Sequence, residues 1–172
     1  MEFQELIKLR ESVRNYDSKK PVPENVLNRI LEAGRLAPSA ANRQPWKFLL
    51  ISSKEMVEKV HECYTNDWFH AAPVVLIIVG KREDAWTRRY DAYNSLETDL
   101  TIAMDHMILA AANEGVGSCW IAAFEPTILR SALDLDDDEV VFAITPLGYP
   151  GADYEHRGEK NRKELSEIVR YL

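Results

Sequence analysis

Hydrophobic and polar positions follow two rhythms along this chain, one helical and one of strand type. Phe3, Leu6, Ile7 and Arg10 fall at helical spacing, and Pro23-Glu24 opens a second helix with Val26, Leu27, Ile30 and Leu31 on one face. Residues 37–45 are small and polar between prolines, which predicts an ordered loop, and 46–51 reads as a strand. Ser52 and Glu55 are spaced as a capping box ahead of Met56, Val57, Val60 and Tyr64, predicting a third helix to about Tyr64. Residues 73–79 are apolar throughout and rich in β-branched side chains, the pattern of a central strand covered on both faces.

Residues 81–98 are charged and aromatic without a core stripe and read as a mobile connection. Leu96, Leu100, Ala103, Met104, Met107, Ile108, Ala111 and Ala112 then form a long apolar stripe, closed by Gly115 and Gly117. A short strand over 119–122, a helix from Pro126 through Leu133, a strand over 140–147, a polar segment over 148–163 and a final helix over 164–172 follow. The acidic run 134–139 reads as a solvated turn. No repeat or flexible linker interrupts the pattern, so residues 1–172 are expected to form one domain.

Charge changes the picture more than composition does. With 21 Lys+Arg against 28 Asp+Glu the net charge is −7, which disfavours nucleic acid and acidic membrane surfaces as partners. The apolar run at 74–79 is far shorter than the ~20 residues that span a bilayer, and Met1-Glu2 opens without a signal-peptide pattern, so a cytoplasmic protein is expected. Cys63 and Cys119 are too few and too far apart for a disulfide framework or a CxxC zinc site. His61, His70, His106 and His156 lack paired metal-ligand spacing, and no metal is expected.

Against this acidic background, cations concentrate at two places. Arg10, Ser12 and Arg14 follow the first helix, and Arg157, Lys160, Arg162 and Lys163 lie near the other end of the chain. Two guanidiniums flanking a hydroxyl suit a phosphate, although cations at a helix C-terminus also simply complement the dipole. Asn42 and Gln44, on a loop stiffened by Pro45, offer amides that match the edge of a planar heterocycle, or serve as ordinary turn residues.

Together the motifs Arg10-Glu-Ser-Val-Arg-Asn-Tyr16, Ala37-Pro-Ser-Ala-Ala-Asn-Arg-Gln-Pro-Trp46, Ala72-Pro-Val-Val, Gly115-Val-Gly-Ser-Cys-Trp-Ile121, Leu147-Gly-Tyr-Pro150 and Lys160-Asn-Arg162 resemble, in order, those of the FMN-dependent nitroreductase family. The resemblance covers nearly the whole chain. It implies an α+β fold, a three-layer α/β/α arrangement around a mixed, mainly antiparallel sheet, in an intertwined homodimer with flavin sites between subunits. The long helix beginning at Leu96 would then be an interface element.

By position, Arg10, Glu11, Ser12 and Arg14 correspond to the segment that holds the FMN phosphate and pyrimidine edge, assisted by Lys160 and Arg162. Pro38, Ser39, Ala40 and Asn42 resemble the loop that a neighbouring subunit lays against the flavin. By the same resemblance, Ala122 and Ala123 fall where backbone N–H groups meet flavin N5 and O4, and Asn66 is a further candidate for a contact to the ring. Glu11 replaces a frequent basic residue or histidine, Ala40 a common serine, and Ala122-Ala123 a glycine-containing pair. The implied activity is hydride transfer from NADH or NADPH through flavin N5 to a small acceptor such as a nitroaromatic or quinone, with no side chain acting as catalytic base. Specialised chemistry such as flavin modification or reductive dehalogenation, or non-catalytic FMN binding, would use the same scaffold. Trp86, Tyr90 and Tyr93 are expected to form a lid over the substrate.

Two competing motifs fail on context. Gly115-x-Gly117 precedes a strand, the reverse of a Rossmann turn. Gly117-Ser-Cys-Trp120 lacks the accompanying cysteine of papain-like proteases, since position 116 is Val.

Overall fold

The computed structural model describes residues 1–172. In chain order the elements are α1 (Phe3–Leu9), α2 (Glu24–Arg35), a 3-10 turn (Ala40–Asn42), β1 (Lys47–Ile51), α3 (Lys54–His61), α4 (Asp67–His70), β2 (Val74–Lys81), α5 (Leu96–Asn113), β3 (Gly117–Ser118), α6 (Pro126–Leu133), β4 (Glu139–Gly148) and α7 (Leu165–Ile168). The uniformly apolar β2 lies inside a sheet of order β1-β2-β4-β3. Its alternation divides the core in two. Val74, Leu76 and Ile78 pack with α2 and α5, while Val75, Ile77 and Val79 face Val60, Phe69 and Leu129 of α3, α4 and α6. Burying each of these side chains contributes ~1.5–3 kcal/mol, which is why this strand between two helical layers carries no polar side chain until Lys81 at its end.

All strand pairs are antiparallel, with Leu49 opposite Ile77, Ile77 opposite Ile144, and Ser118 opposite Leu147. The parallel direction enters through an isolated bridge between Ser12 and Ser118, which makes the sheet mixed at its edge. α5 packs against α2, where Gly34 permits close approach: a Cβ there would lie 2.7 Å from Met107 Cγ. No helix is long and apolar enough to cross a membrane.

Several local expectations are corrected. Ser53, not Ser52, caps α3, its Oγ accepting from the Met56 N–H at 3.4 Å. The helix stops at His61 rather than Tyr64, because the chain turns inward and re-forms as α4, burying Phe69 completely. The strand expected over 119–122 is Gly117–Ser118 plus a bridge from Ile121 to Ile144. The last helix shrinks to the turn Leu165–Ile168, which has no buried residue to hold it. The acidic run is more than a solvated turn. Glu139 is buried, pairs with Lys47 and accepts from the Asp136 N–H at 3.1 Å. The 81–98 segment carries local order: Thr87 bridges Asn94, the Ser95 N–H donates to Trp86 O at 2.9 Å, and α5 has begun by Leu96.

Candidate functional site

The polypeptide leaves α1 at Arg10 and runs along the edge of β3. The Val13 N–H donates to Ser118 O at 2.9 Å and the Asp17 N–H to Tyr149 O at 2.9 Å, so residues 12–17 behave as an added edge segment. This exposes Arg14, whose guanidinium lies over Trp68 at 5.7 Å. The C-terminal segment returns to the same place. The Glu11 carboxylate accepts from the Tyr154 hydroxyl and from the Arg157 N–H at 3.1 Å, with His156 Nδ1 at 2.7 Å. Lys160 Nζ donates to Ile7 O at 2.5 Å and to Arg10 O. Arg10, Arg14, Arg157, Lys160 and Arg162 thereby gather at one corner.

None of these cations forms an ion pair, the nearby Glu11 carboxylate acting on Lys160 only at longer range. Arg29, Arg35, Arg82, Arg88 and Arg130 all form ion pairs with carboxylates, whereas Arg10, Arg14, Arg157, Lys160 and Arg162 form none. Their mutual field is visible in the titrating groups beside them. The Lys160 ammonium is pushed down by burial, then by Arg10 and Arg162. Burial pushes the Cys119 thiol up, while Arg14, the Ser12 hydroxyl, Arg157 and Arg10 pull it down. Burial would raise the Glu11 carboxyl, but Tyr154, the Arg157 N–H and His156 outweigh it and hold it low. Glu11 therefore serves as the anchor of the returning segment. Ala122 and Ala123 are exposed just beyond the Ile121–Ile144 bridge, and their N–H groups meet no backbone carbonyl. Asn66 is exposed at the start of α4, two residues before the Trp68 that meets Arg14.

The other expected site residues lie elsewhere. In the loop after α2, Ser39 Oγ accepts from the Gln44 N–H at 2.9 Å, and Ala41, Asn42 and Gln44 have φ of 51°, 54° and 52°. Three non-glycine residues in the left-handed region store strain that the surroundings must hold. Pro38 and Asn42 are exposed. Pro45 O abuts Gly80, where a Cβ would approach it to 2.1 Å. Ser12, by contrast, connects through Ser118 and Leu147 to Val74. The two groups thus mark opposite ends of β2, on the order of 20 Å apart at the rise of an extended strand.

Trp86, Tyr90 and Tyr93 belong to the loop-side group. Tyr90 is 96% exposed, Trp86 is half-buried, and the Tyr93 ring carries Arg88 at 4.9 Å while its hydroxyl meets Thr98. Sequence reasoning missed Asp99. Buried in the first turn of α5, it accepts from the Ala40 N–H at 2.9 Å and from the Ser95 hydroxyl at 2.7 Å. Its signal was a carboxylate three positions after Leu96, on the apolar stripe itself.

Comparisons with known proteins give the family and the fold. A model of the nitroreductase family matches residues 7–62 and 55–149. A nitroreductase family protein from Clostridium difficile superposes with a TM-score of 0.91 at 36% identity, covering 99% of this chain and 98% of that one. A structure from Desulfovibrio desulfuricans solved in complex with FMN gives a TM-score of 0.82 at 25% identity, covering 98% and 95%. A provisionally named NADH dehydrogenase/NAD(P)H nitroreductase of Archaeoglobus fulgidus is 31% identical over 150 residues, 84% of this chain and 83% of that one. Rat iodotyrosine deiodinase 1 is 25% identical over 202 residues, 98% of this chain and 68% of its own length. The family model spans residues 7–149 and the fold match 99% of the chain, which belongs to the nitroreductase family of enzymes.

Proposed function

We propose that this protein is a homodimeric FMN-dependent oxidoreductase that passes a hydride from NADH or NADPH to a small acceptor such as a nitroaromatic or quinone. One observation carries the reading: five cations without carboxylate ion-pair partners, gathered from both ends of a chain of net charge −7. A dianionic phosphate supplies the charge this corner lacks. Charge-assisted hydrogen bonds from Arg10, Arg14, Lys160 and Arg162 would each contribute ~1.5–3 kcal/mol to holding it, with Ser12 between them. FMN, when bound, supplies the hydride-accepting and hydride-donating chemistry at its N5.

The chain's own part is positional and electrostatic. The unpaired N–H groups of Ala122 and Ala123 would serve the polar edge of the ring and Asn66 its rim, and the cations would favour negative charge on the bound cofactor. Solvent can supply protons, so no side chain is assigned as general acid or base. Residues 10–14 and 38–42 lie at opposite ends of β2, a separation that fits the arrangement in which a second copy would supply Pro38, Ser39, Ala40 and Asn42 to the flavin held by 10–14. α1 and α7 bury none of their residues although they carry Phe3, Ile7, Leu9, Leu165 and Ile168, which gives such a partner apolar surface to cover. The two free, buried thiols fit a reducing compartment, in keeping with a cytoplasmic enzyme.

Stopped-flow mixing of the purified yellow protein with NADH or NADPH tests the reading. Loss of flavin absorbance, followed by recovery on adding a nitroaromatic or quinone, is expected; absence of bleaching with both donors overturns it. The deiodinase relative favours a second reading, reductive dehalogenation of a halogenated aromatic. That activity would appear as halide release with poor nicotinamide oxidation.

A further inference from the structure

We propose that Asp99 is a positioning residue that holds the strained Ser39–Gln44 loop in flavin-contacting shape and ties it to the aromatic hairpin at 86–95. This rests on the flavin reading above. Asp99 is 2% exposed, yet no cation lies against it. Its two carboxyl oxygens are divided between two segments. One accepts from the Ala40 N–H at 2.9 Å, and the other from the hydroxyl of Ser95, itself buried.

A buried carboxyl is costly in a core helix, and a leucine there would continue the stripe of Leu96, Leu100 and Ala103. The carboxyl supplies what leucine cannot, an acceptor aimed at the first N–H of the turn in which Ala41, Asn42 and Gln44 hold positive φ. The Gln44 N–H is satisfied separately, by Ser39 Oγ. The loop is thus fastened at each end of its strained stretch. On the opposite side, the Ser95 N–H donates to Trp86 O at 2.9 Å, and Asn94 Nδ2 donates to Arg82 O at 3.0 Å and Thr87 Oγ1 at 3.0 Å. The same carboxyl therefore sets the loop and the base of the hairpin relative to one another.

The test compares the full-length protein with Asp99→Ala, Asp99→Asn and, as a core control on the same helix, Met104→Ala. FMN dissociation constants are measured by flavin fluorescence, and amide hydrogen exchange over 39–44 is followed in flavin-free protein. Asp99→Ala is expected to weaken FMN about tenfold and to accelerate exchange across 39–44. Asp99→Asn restores both, because its amide oxygen can accept from Ala40 and its NH2 can donate to the Ser95 hydroxyl. Met104→Ala lowers thermal stability and leaves FMN affinity and loop exchange unchanged. Wild-type affinity and loop exchange in Asp99→Ala overturn the proposal, as does an equal loss of affinity in Met104→Ala. If Asp99→Ala does not fold, Ser95→Ala decides: faster exchange at 39–44 supports the tether, and unchanged exchange overturns it. A wild-type protein that binds no FMN overturns the flavin reading instead, and the exchange measurement still decides whether Asp99 holds the loop.

Discussion

The Glu11 carboxylate accepts a hydrogen bond at 3.1 Å from the backbone N–H of Arg157, 146 positions further along the chain. With Tyr154 and His156 on the same carboxylate, this contact draws the C-terminal cations onto Arg10 and Arg14. Glu11→Ala should therefore lose ~1–3 kcal/mol of stability and weaken FMN binding together. The folded Glu11 pKa lies below its unfolded value, so its contribution is present above about pH 4.5 and disappears as pH falls through the folded value. Denaturant titrations at pH 7 and pH 3.5 should show the Glu11→Ala difference shrinking at the lower pH.

Removing one cation tests the phosphate site directly. Arg14→Ala and Lys160→Ala should each weaken FMN on the order of 10–100-fold, the effect of one charge-assisted hydrogen bond. Binding isotherms at low and high salt should show a shallower salt dependence for each variant than for the wild type.

His61 should make the fold acid-sensitive. Burial first, and the stacked His70 ring 4.6 Å away second, push its pKa down to about 4, and its Nε2 is buried without a hydrogen-bond partner. A histidine near 6.5 when unfolded and near 4 when folded takes up its proton on unfolding. Stability is then full above about pH 6.5 and lost as pH falls toward 4. Partial exposure limits the loss to ~1–2 kcal/mol. Thermal melts of wild type and His61→Phe over that window should converge at low pH if the wild type is the more stable at pH 7. A parallel pH dependence in both proteins would assign the effect to other groups.

Tyr90 projects almost wholly into solvent from the 86–95 hairpin. Tyr90→Ala is expected to change the ratio of kcat/KM between a nitroaromatic and a quinone while the FMN dissociation constant stays at the wild-type value. An unchanged ratio removes Tyr90 from the lid.

The apolar faces of α1 and α7 should be buried by a second copy. Ile168→Asp, on a helix with no buried residue, should shift the light-scattering mass toward the monomer and release flavin in parallel. A dimer that survives the change with full flavin content would place the interface elsewhere.

The sequence alone determined the elements whose pattern is dense and local. The unbroken apolar run of β2 required cover on both faces, the stripe from Leu96 required a long buried helix, and the cations near each terminus stood out against an acidic chain. It did not determine where short elements stop, since the end of α3, the birth of α4 and the single turn of α7 depend on which side chains find a core to enter. Only tertiary structure decided that Glu11 anchors a segment 146 positions away, that Asp99 fastens the loop at Ala40, and that the two groups of site residues stand at opposite ends of one strand. Hydrogen bonds and charge pairs between distant positions leave no periodicity in a sequence. They exist only once the sheet has fixed the distance between its ends.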